Sequence, residues 1–379
     1  MTAGGADETP PGELSVIVEA AGVQRARLKK LARVQELGLV VVLGGIVAYF
    51  SAAAPSFDSS ENIKTIFIYL SVLGVLAVGQ TLVILAGGFD LSNGAVVAFA
   101  SSIGATMLAD HSSQGSAVAV TLLVALGVGL ANGVLVAILR VNAFIATLAT
   151  YLIFSGAAYV YTNSQTVEFP LNEWTQYGRG EVGFIPTPVL ILLALSVAAI
   201  LVLRYTVFGR SLYAIGGNPQ AARLSGIAVR RNLVIVFAVS GVTAGIGALI
   251  QASLASAGSA SYTGQLNLQS ITAVILGGAA LTGGEGGIPG TILGVVITQT
   301  ILDGLTLMNV SSFYQDIVTG IVLLLAVMLA GARQSLAGRR LQLPAVLIAR
   351  HARPAAEAGP APTTTTTPED GSRRAGGSG

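Results

Sequence analysis

The chain has 379 residues, is 53% hydrophobic and 10% charged, and carries a formal net charge of +2. An average soluble domain is about 25% charged, so this chain lacks the polar surface that an apolar soluble core would need to cover it. With no cysteine and only His111 and His351 as histidines, neither a disulfide framework nor a metal centre is expected, and no nucleic-acid partner is expected.

Residues 1–24 are polar and mixed, with no pattern of a cleavable signal peptide. The basic stretch QRARLKKLAR at 24–33 precedes the first apolar run. Apolar runs then follow at 37–54, 63–85, 94–108, 118–139, 143–161, 189–205, 233–251, 271–281, 288–305 and 317–332. Most reach the ~18 residues that span a bilayer. The reading is an all-α, polytopic membrane helix bundle of about ten transmembrane segments. The third and eighth runs are short and have the look of glycine-broken segments. Lys and Arg set the orientation. Arg25 to Arg33, Arg140, the group Arg204, Arg210, Arg223, Arg230 and Arg231, and the group from Arg333 to Arg353 all fall on one side of an even count of spans. That side is expected to be cytoplasmic and to hold both termini. The domain reading is a cytoplasmic tail at 1–34, a transmembrane domain at 35–332 and a largely disordered cytoplasmic tail at 333–379.

Two interrupted segments resemble one another. VILAGGFDLSNG begins at Val83 and VILGGAALTGGEGG at Val274. Each follows an apolar run and breaks it with glycine, the sign of an internal repeat around a central pathway. In the first, Asp90 is a carboxylate among apolar runs. It is expected to cap the helix that follows by accepting N–H bonds from its first turn, with Ser92 and Asn93 as rival caps; direct contact with a transported solute is the alternative.

The chain has three lysines, Lys29, Lys30 and Lys64, none of them after a glycine. It therefore has no phosphate-binding loop, and any ATP that drives it belongs to another chain. Asp90, Glu285, Asp303 and Asp316 sit in breaks or near span ends rather than at mid-span, which argues against an ion relay. The loop between the sixth and seventh runs is more informative. Asn218-Pro219 is a helix start, QAARL is made of helix formers, and Gly226 after Ser225 is a stop. This two-turn helix is either a cover for the bundle or a docking element for a cytoplasmic partner.

Four stretches in this order, GGFDLSNGAVVA, NAFIATLATYLIFSGAAYVYT, FGRSLYAIGGNPQAARLSGIAV and ITAVILGGAALTGGEGGIPGTILGVVI, closely resemble permease subunits of ATP-binding-cassette importers for monosaccharides of the ribose, xylose and galactoside branch. The resemblance spans about residues 35–332. It implies a homodimer in the bacterial plasma membrane in contact with lipid, a cytoplasmic ATPase subunit that holds ATP and magnesium, and an extracytoplasmic sugar-binding protein. It implies no cofactor and no catalytic residue in this chain. The ATPase-coupling helix carries over to Gly217, Asn218, Pro219, Ala221, Ala222, Arg223, Ser225 and Gly226. The translocation motifs carry over to Gly87, Gly88, Asp90 and Ser92, and to Gly277, Gly278, Leu281, Gly283, Gly284 and Gly286. Phe89, Asn93, Glu285 and Asp303 depart from the residues common in that family. Uncharged polar residues within or at the ends of the spans, Gln80, Thr81, Asn142, Thr147, Thr298 and Gln299, are candidates for lining the pathway, and helix packing explains each as well. The rival readings are an ATP-independent secondary transporter of a small polar solute and a membrane-embedded enzyme. The second lacks a visible cluster of ionisable residues at one membrane face.

Overall fold

The computed structural model describes residues 37–171 and 173–351. The expected N-terminal tail and its basic cluster lie outside them, as does the C-terminal tail from 352 onward. The described part is helical apart from two small antiparallel strand pairs. Seven of its helices are long and apolar enough to cross a membrane: α2 (Ser60–Leu85), α4 (Gln114–Ala137), α5 (Ala143–Tyr161), α7 (Thr187–Tyr205), α10 (Val229–Ala255), α12 (Ile288–Leu307) and the Ser312–Gly331 part of α13 (Ser312–His351). α1 (Leu37–Ala53), α3 (Asn93–Ala109) and α11 (Thr263–Leu276) are shorter. At 1.5 Å per residue the 14 residues of α11 reach only ~21 Å, short of the ~30 Å hydrocarbon core. α13 continues past the expected boundary at residue 332.

Capping residues set the helix starts. Ser59 accepts the Asn62 N–H at the head of α2, Ser113 accepts the Ser116 N–H at the head of α4, and Asn142 accepts the Phe144 N–H at 2.9 Å at the head of α5. Between the capped ends, burial sorts the helices. Every residue of α2 from Leu70 to Leu85 is buried, so α2 is the central helix, apolar on all sides because protein surrounds it. Helices α10, α12, α7 and α11 pack around it, and α3 lies among α4, α5, α10 and α11. The outer helices leave large apolar side chains uncovered, among them Leu123, Leu152, Val160, Leu193, Leu201 and Leu325. Water does not tolerate an apolar belt of that extent, so these faces meet lipid.

Glycine permits the closest helix pairs. In the α4–α10 pair, a Cβ on Gly129 would lie 2.9 Å from the Gly241 Cα, and one on Gly241 would lie 2.9 Å from the Gly129 Cα. In the α11–α12 pair, a Cβ on Gly277 would lie 2.6 Å from the Thr291 amide nitrogen. No side chain fits between these backbones.

Contacts between helix ends define two faces of the bundle. On one, Lys64 pairs with Glu181, Asn62 donates to Asp303 at 2.8 Å, and β1 (Val167–Glu168) pairs with β4 (Ala257–Gly258). The same end is closed by the 162–186 segment, whose Trp174 is fully buried and donates to the Leu249 carbonyl at 3.1 Å. On the other face lie the ends of α2 and α11 and the short helices α8 (Val207–Gly217) and α9 (Pro219–Leu224).

Candidate functional site

The helix read from Asn218-Pro219 is present as α9. Asn218 has an extended backbone, and its side chain accepts the N–H groups of Gln220 at 3.1 Å and Ala221 at 2.9 Å. Pro219, which lacks an N–H, occupies the first turn. Ser225 ends the helix, and Gly226 takes φ +80°, a region that favours glycine. The two alanines do not share one outward face. Ala222 is buried against Ile215 and Val229, while Ala221 is exposed. The outward face instead presents Gln220, Ala221, Arg223 and Leu224, and Leu224 is 83% exposed. Beside it is an open recess of about 380 Å³ lined by Arg223, Ile227, Ala228, Val229, Arg230 and Arg231.

The stretch before Asn218, expected as loop, is instead the helix α8. Thr206 caps it by accepting the Gly209 N–H at 3.1 Å, and it buries Leu212, Ile215 and Gly216. The apolar side chains of the stretch FGRSLYAIGG at i, i+4 and i+7 (Phe208, Leu212, Ile215) carried that signal.

The two glycine breaks have the same geometry in the register of their sequence echo. At the end of α2, the Gly87 N–H donates to Ile84 at 2.9 Å and the Gly88 N–H to Val83 at 3.0 Å, with Gly87 at φ +79°. At the end of α11, the Gly278 N–H donates to Ile275 at 2.9 Å and the Ala279 N–H to Val274 at 3.2 Å, with Gly278 at φ +94°. Each is a left-handed helix stop with paired backbone bonds. Gly283, Gly284 and Gly286 also take positive φ. The two breaks meet at one place: the Gly284 N–H donates to the Leu85 carbonyl at 3.0 Å. Gly216 of α8 packs against both, since a Cβ there would overlap the Leu85 carbonyl oxygen and the Gly284 nitrogen.

Asp90 does not cap the first turn of α3, contrary to the sequence expectation. Ser92 occupies the cap position and makes no side-chain cap bond. The Asp90 Oδ1 accepts the Ser92 N–H at 3.0 Å and the Ser92 hydroxyl at 2.5 Å, and its Oδ2 accepts the Ser240 hydroxyl of α10 at 2.8 Å. The reason is spacing: two residues short of the cap, the side chain closes a local turn onto Ser92 and leaves its second oxygen for a neighbouring helix. The cluster extends outward from there. Asn132 of α4 donates to the Ser92 Oγ at 2.8 Å, Ser240 reaches the Asn93 Oδ1 at 3.2 Å, and Asn93 donates to the Gln80 Oε1 at 3.0 Å. Asp90, Ser92, Asn93, Gln80, Asn132 and Ser240 are all at most 1% exposed. The loop carbonyls are held as well, that of Phe89 by Thr147 at 3.2 Å and that of Leu91 by Asn267 at 2.5 Å. Sequence reading missed Asn132, Ser240 and Asn267, although a lone asparagine in an apolar run is a legible sign of a buried polar contact.

The candidate pathway residues are placed as follows. Gln80, Thr81, Thr147 and Thr298 are buried within the chain. The Thr81 Oγ lies 2.8 Å from the Thr291 Oγ, and Thr298 donates to the Gly294 carbonyl at 2.8 Å. Gln299 is partly exposed, and Asn142 is an exposed cap.

Long apolar helices around a buried core, with an ordered polar cluster and glycine stops at one end, define a polytopic membrane helix bundle. Residues 62–327 match the family model described as "Branched-chain amino acid transport system / permease component", and the chain belongs to that family. It is 39% identical over 300 residues to the ribose import permease protein RbsC of Escherichia coli strain K12, covering 78% of this chain and 93% of that one. It is 38% identical over 297 residues to the ribose import permease protein RbsC of Bacillus subtilis strain 168, covering 78% and 92%. To the L-arabinose ABC transporter permease protein AraH of Azospirillum brasilense it is 34% identical over 291 residues, covering 77% and 86%. No solved structure matches the chain. As a permease component, the chain is a transport subunit with no ATPase activity of its own and no expected cofactor.

Proposed function

We propose that this chain is the membrane permease of an ATP-binding-cassette importer for a monosaccharide of the ribose or arabinose type. Two copies form the central pathway in the bacterial plasma membrane. A sugar-binding protein delivers substrate at the outer face, and an ATPase subunit docks beneath each copy, on the side that holds both termini. Ten membrane segments in two related halves build each copy, with the stops at Gly87 and Gly278 as equivalent points of the repeat. The matching pair of backbone bonds and the left-handed glycine at each stop support that reading.

The observation that carries the proposal is the outward face of α9. A two-turn helix whose start is fixed by its own cap presents Leu224 at 83% exposure, beside a recess lined with three arginines. A large apolar side chain that is exposed in water needs a partner to cover it, and the arginines suit an acidic rim on that partner. Ala222 anchors the helix from within, which makes Leu224 the sharper probe of docking. Leu224→Glu removes the apolar knob and places a negative charge beside the three arginines without touching the permease core. The variant is expected to insert and fold normally, and to lose at least about tenfold in ATPase co-purification, the scale of one apolar hot spot at an interface. Co-purification equal to wild type would overturn the assignment of α9.

A further inference from the structure

We propose that α8 is a strut that carries the movement of α9 to both glycine breaks at once, with Gly216 as its bearing point and Tyr213 as the residue that positions the 283–286 turn of the second break. The proposal rests on the reading that α9 is where the ATPase docks.

Asn218 alone separates the end of α8 at Gly217 from the start of α9 at Pro219. The Asn218 N–H is bonded to the Ala214 carbonyl at 3.0 Å, so the same residue closes α8 and caps α9. The two helices therefore meet without a flexible linker. At Gly216 and Gly217, α8 meets the two breaks through backbone alone. A Cβ on Gly283 would stand 2.7 Å from the Gly87 Cα and 2.9 Å from the Gly216 Cα, and a Cβ on Gly284 would stand 2.7 Å from the Gly217 nitrogen. Three chain segments converge here, and none places a side chain between them.

A contact of this kind transmits motion differently from ordinary core packing. Side chains in a core can change rotamer and absorb a displacement of a fraction of an ångström. Backbone pressed on backbone has no such freedom, and tightly packed interiors are poorly compressible. The Gly284 N–H bonded to the Leu85 carbonyl ties the two stops to each other. A push arriving through Gly216 thus moves the end of α2 and the 283–284 turn together.

Tyr213 adds a directed contact. One turn before Gly216, its hydroxyl donates to the Gly286 carbonyl at 3.0 Å. Gly286 leads directly into α12 (Ile288–Leu307). The tyrosine therefore holds the 283–286 turn of the second break, and Gly216 bears on both breaks.

The test uses the complete transporter (permease, ATPase and binding protein) in lipid nanodiscs and proteoliposomes, with Gly216→Ala, Tyr213→Phe and Leu224→Glu. Two quantities are read: sugar taken up per ATP hydrolysed, and the change in backbone hydrogen exchange at 85–92 and at 280–288 when a non-hydrolysable ATP analogue closes the ATPase subunits. In the wild type both segments are expected to respond. Gly216→Ala is expected to co-purify with the ATPase, to lose the response at both segments and to lose about tenfold in uptake per ATP, within the usual range of coupling between sites. Tyr213→Phe is expected to lose the response at 280–288 only. Wild-type responses and uptake ratio in Gly216→Ala would overturn the strut. If Gly216→Ala does not assemble, Tyr213→Phe decides: loss confined to 280–288 supports the strut, and a full response there contradicts it. Leu224→Glu separates the two readings. If that variant alone binds and couples like wild type, the docking assignment fails, whatever the glycine variants show.

Discussion

Asp90 changes character once its neighbours are known. In the sequence it is a charge between apolar runs, and helix capping explained it. In the fold it is the centre of a buried cluster that ties the first glycine stop to α10, and through Ser92 to α4. The sequence could not reveal this, because Ser240 lies 150 residues away and carries no local mark. The consequence for substitution is specific. Asn at position 90 keeps the Oδ1 acceptor for the Ser92 N–H and turns an NH₂ toward Ser240, whose hydroxyl can accept it and donate instead to Asn93. Ala leaves the Ser92 N–H and the Ser92 hydroxyl without their shared acceptor, at a cost of about 1–3 kcal/mol for each buried group. We therefore predict that Asp90→Asn folds and transports, while Asp90→Ala shows a clearly lower unfolding temperature in detergent. Scanning fluorimetry and uptake assays check both. A folded but inactive Asp90→Asn would show that the charge itself takes part in transport.

At the scale of elements, the pattern of apolar runs was legible almost throughout. The fifth run coincides with α5 (Ala143–Tyr161) and the third became α3, whereas the eighth, expected at 271–281, overlaps α11 (Thr263–Leu276) only at 271–276 and ends in the glycine break. α9 was legible to the residue, because Asn-Pro at its start and Ser-Gly at its end are local signals that need no tertiary context. α8 was missed because its apolar stripe is short and follows directly on a long apolar run. Glycine was the hardest residue to read. The same residue serves as a helix stop at Gly87, as a close-packing site at Gly241 and as open surface at Gly127, and only the neighbours tell these apart. A Cβ on Gly241 would fall 2.9 Å from the Gly129 Cα, whereas one on Gly127 meets nothing within 4 Å. Gly241→Ala is accordingly expected to force α4 and α10 apart and to destabilise the bundle by about 1–3 kcal/mol. Gly127→Ala, in the adjoining part of α4, should be neutral or stabilising by up to about 1 kcal/mol through helix propensity. Thermal unfolding of the two variants side by side reads the contrast. Equal behaviour would mean that the α4–α10 contact does not depend on glycine.

At the scale of the molecule, the segments that an even count of spans places on one side are those found in contact. Lys64 meets Glu181 and β1 meets β4 at one end; Leu85, Gly216 and Gly284 meet at the other. The polar residues put forward as pathway lining are mostly buried within the single chain, so the pathway proposed between two copies would be lined by other residues. No sequence signal announces such a shared surface, since lipid-facing and copy-facing sides of a helix are equally apolar. The central claim is that the chain moves sugar only when a separate ATPase drives it. The most direct measurement is uptake of labelled ribose and arabinose into proteoliposomes that contain the permease with its ATPase and binding protein, compared with the permease alone under sodium and proton gradients. The account predicts accumulation only in the complete system, and only with ATP on the ATPase side. Accumulation by the isolated chain down an ion gradient would contradict it.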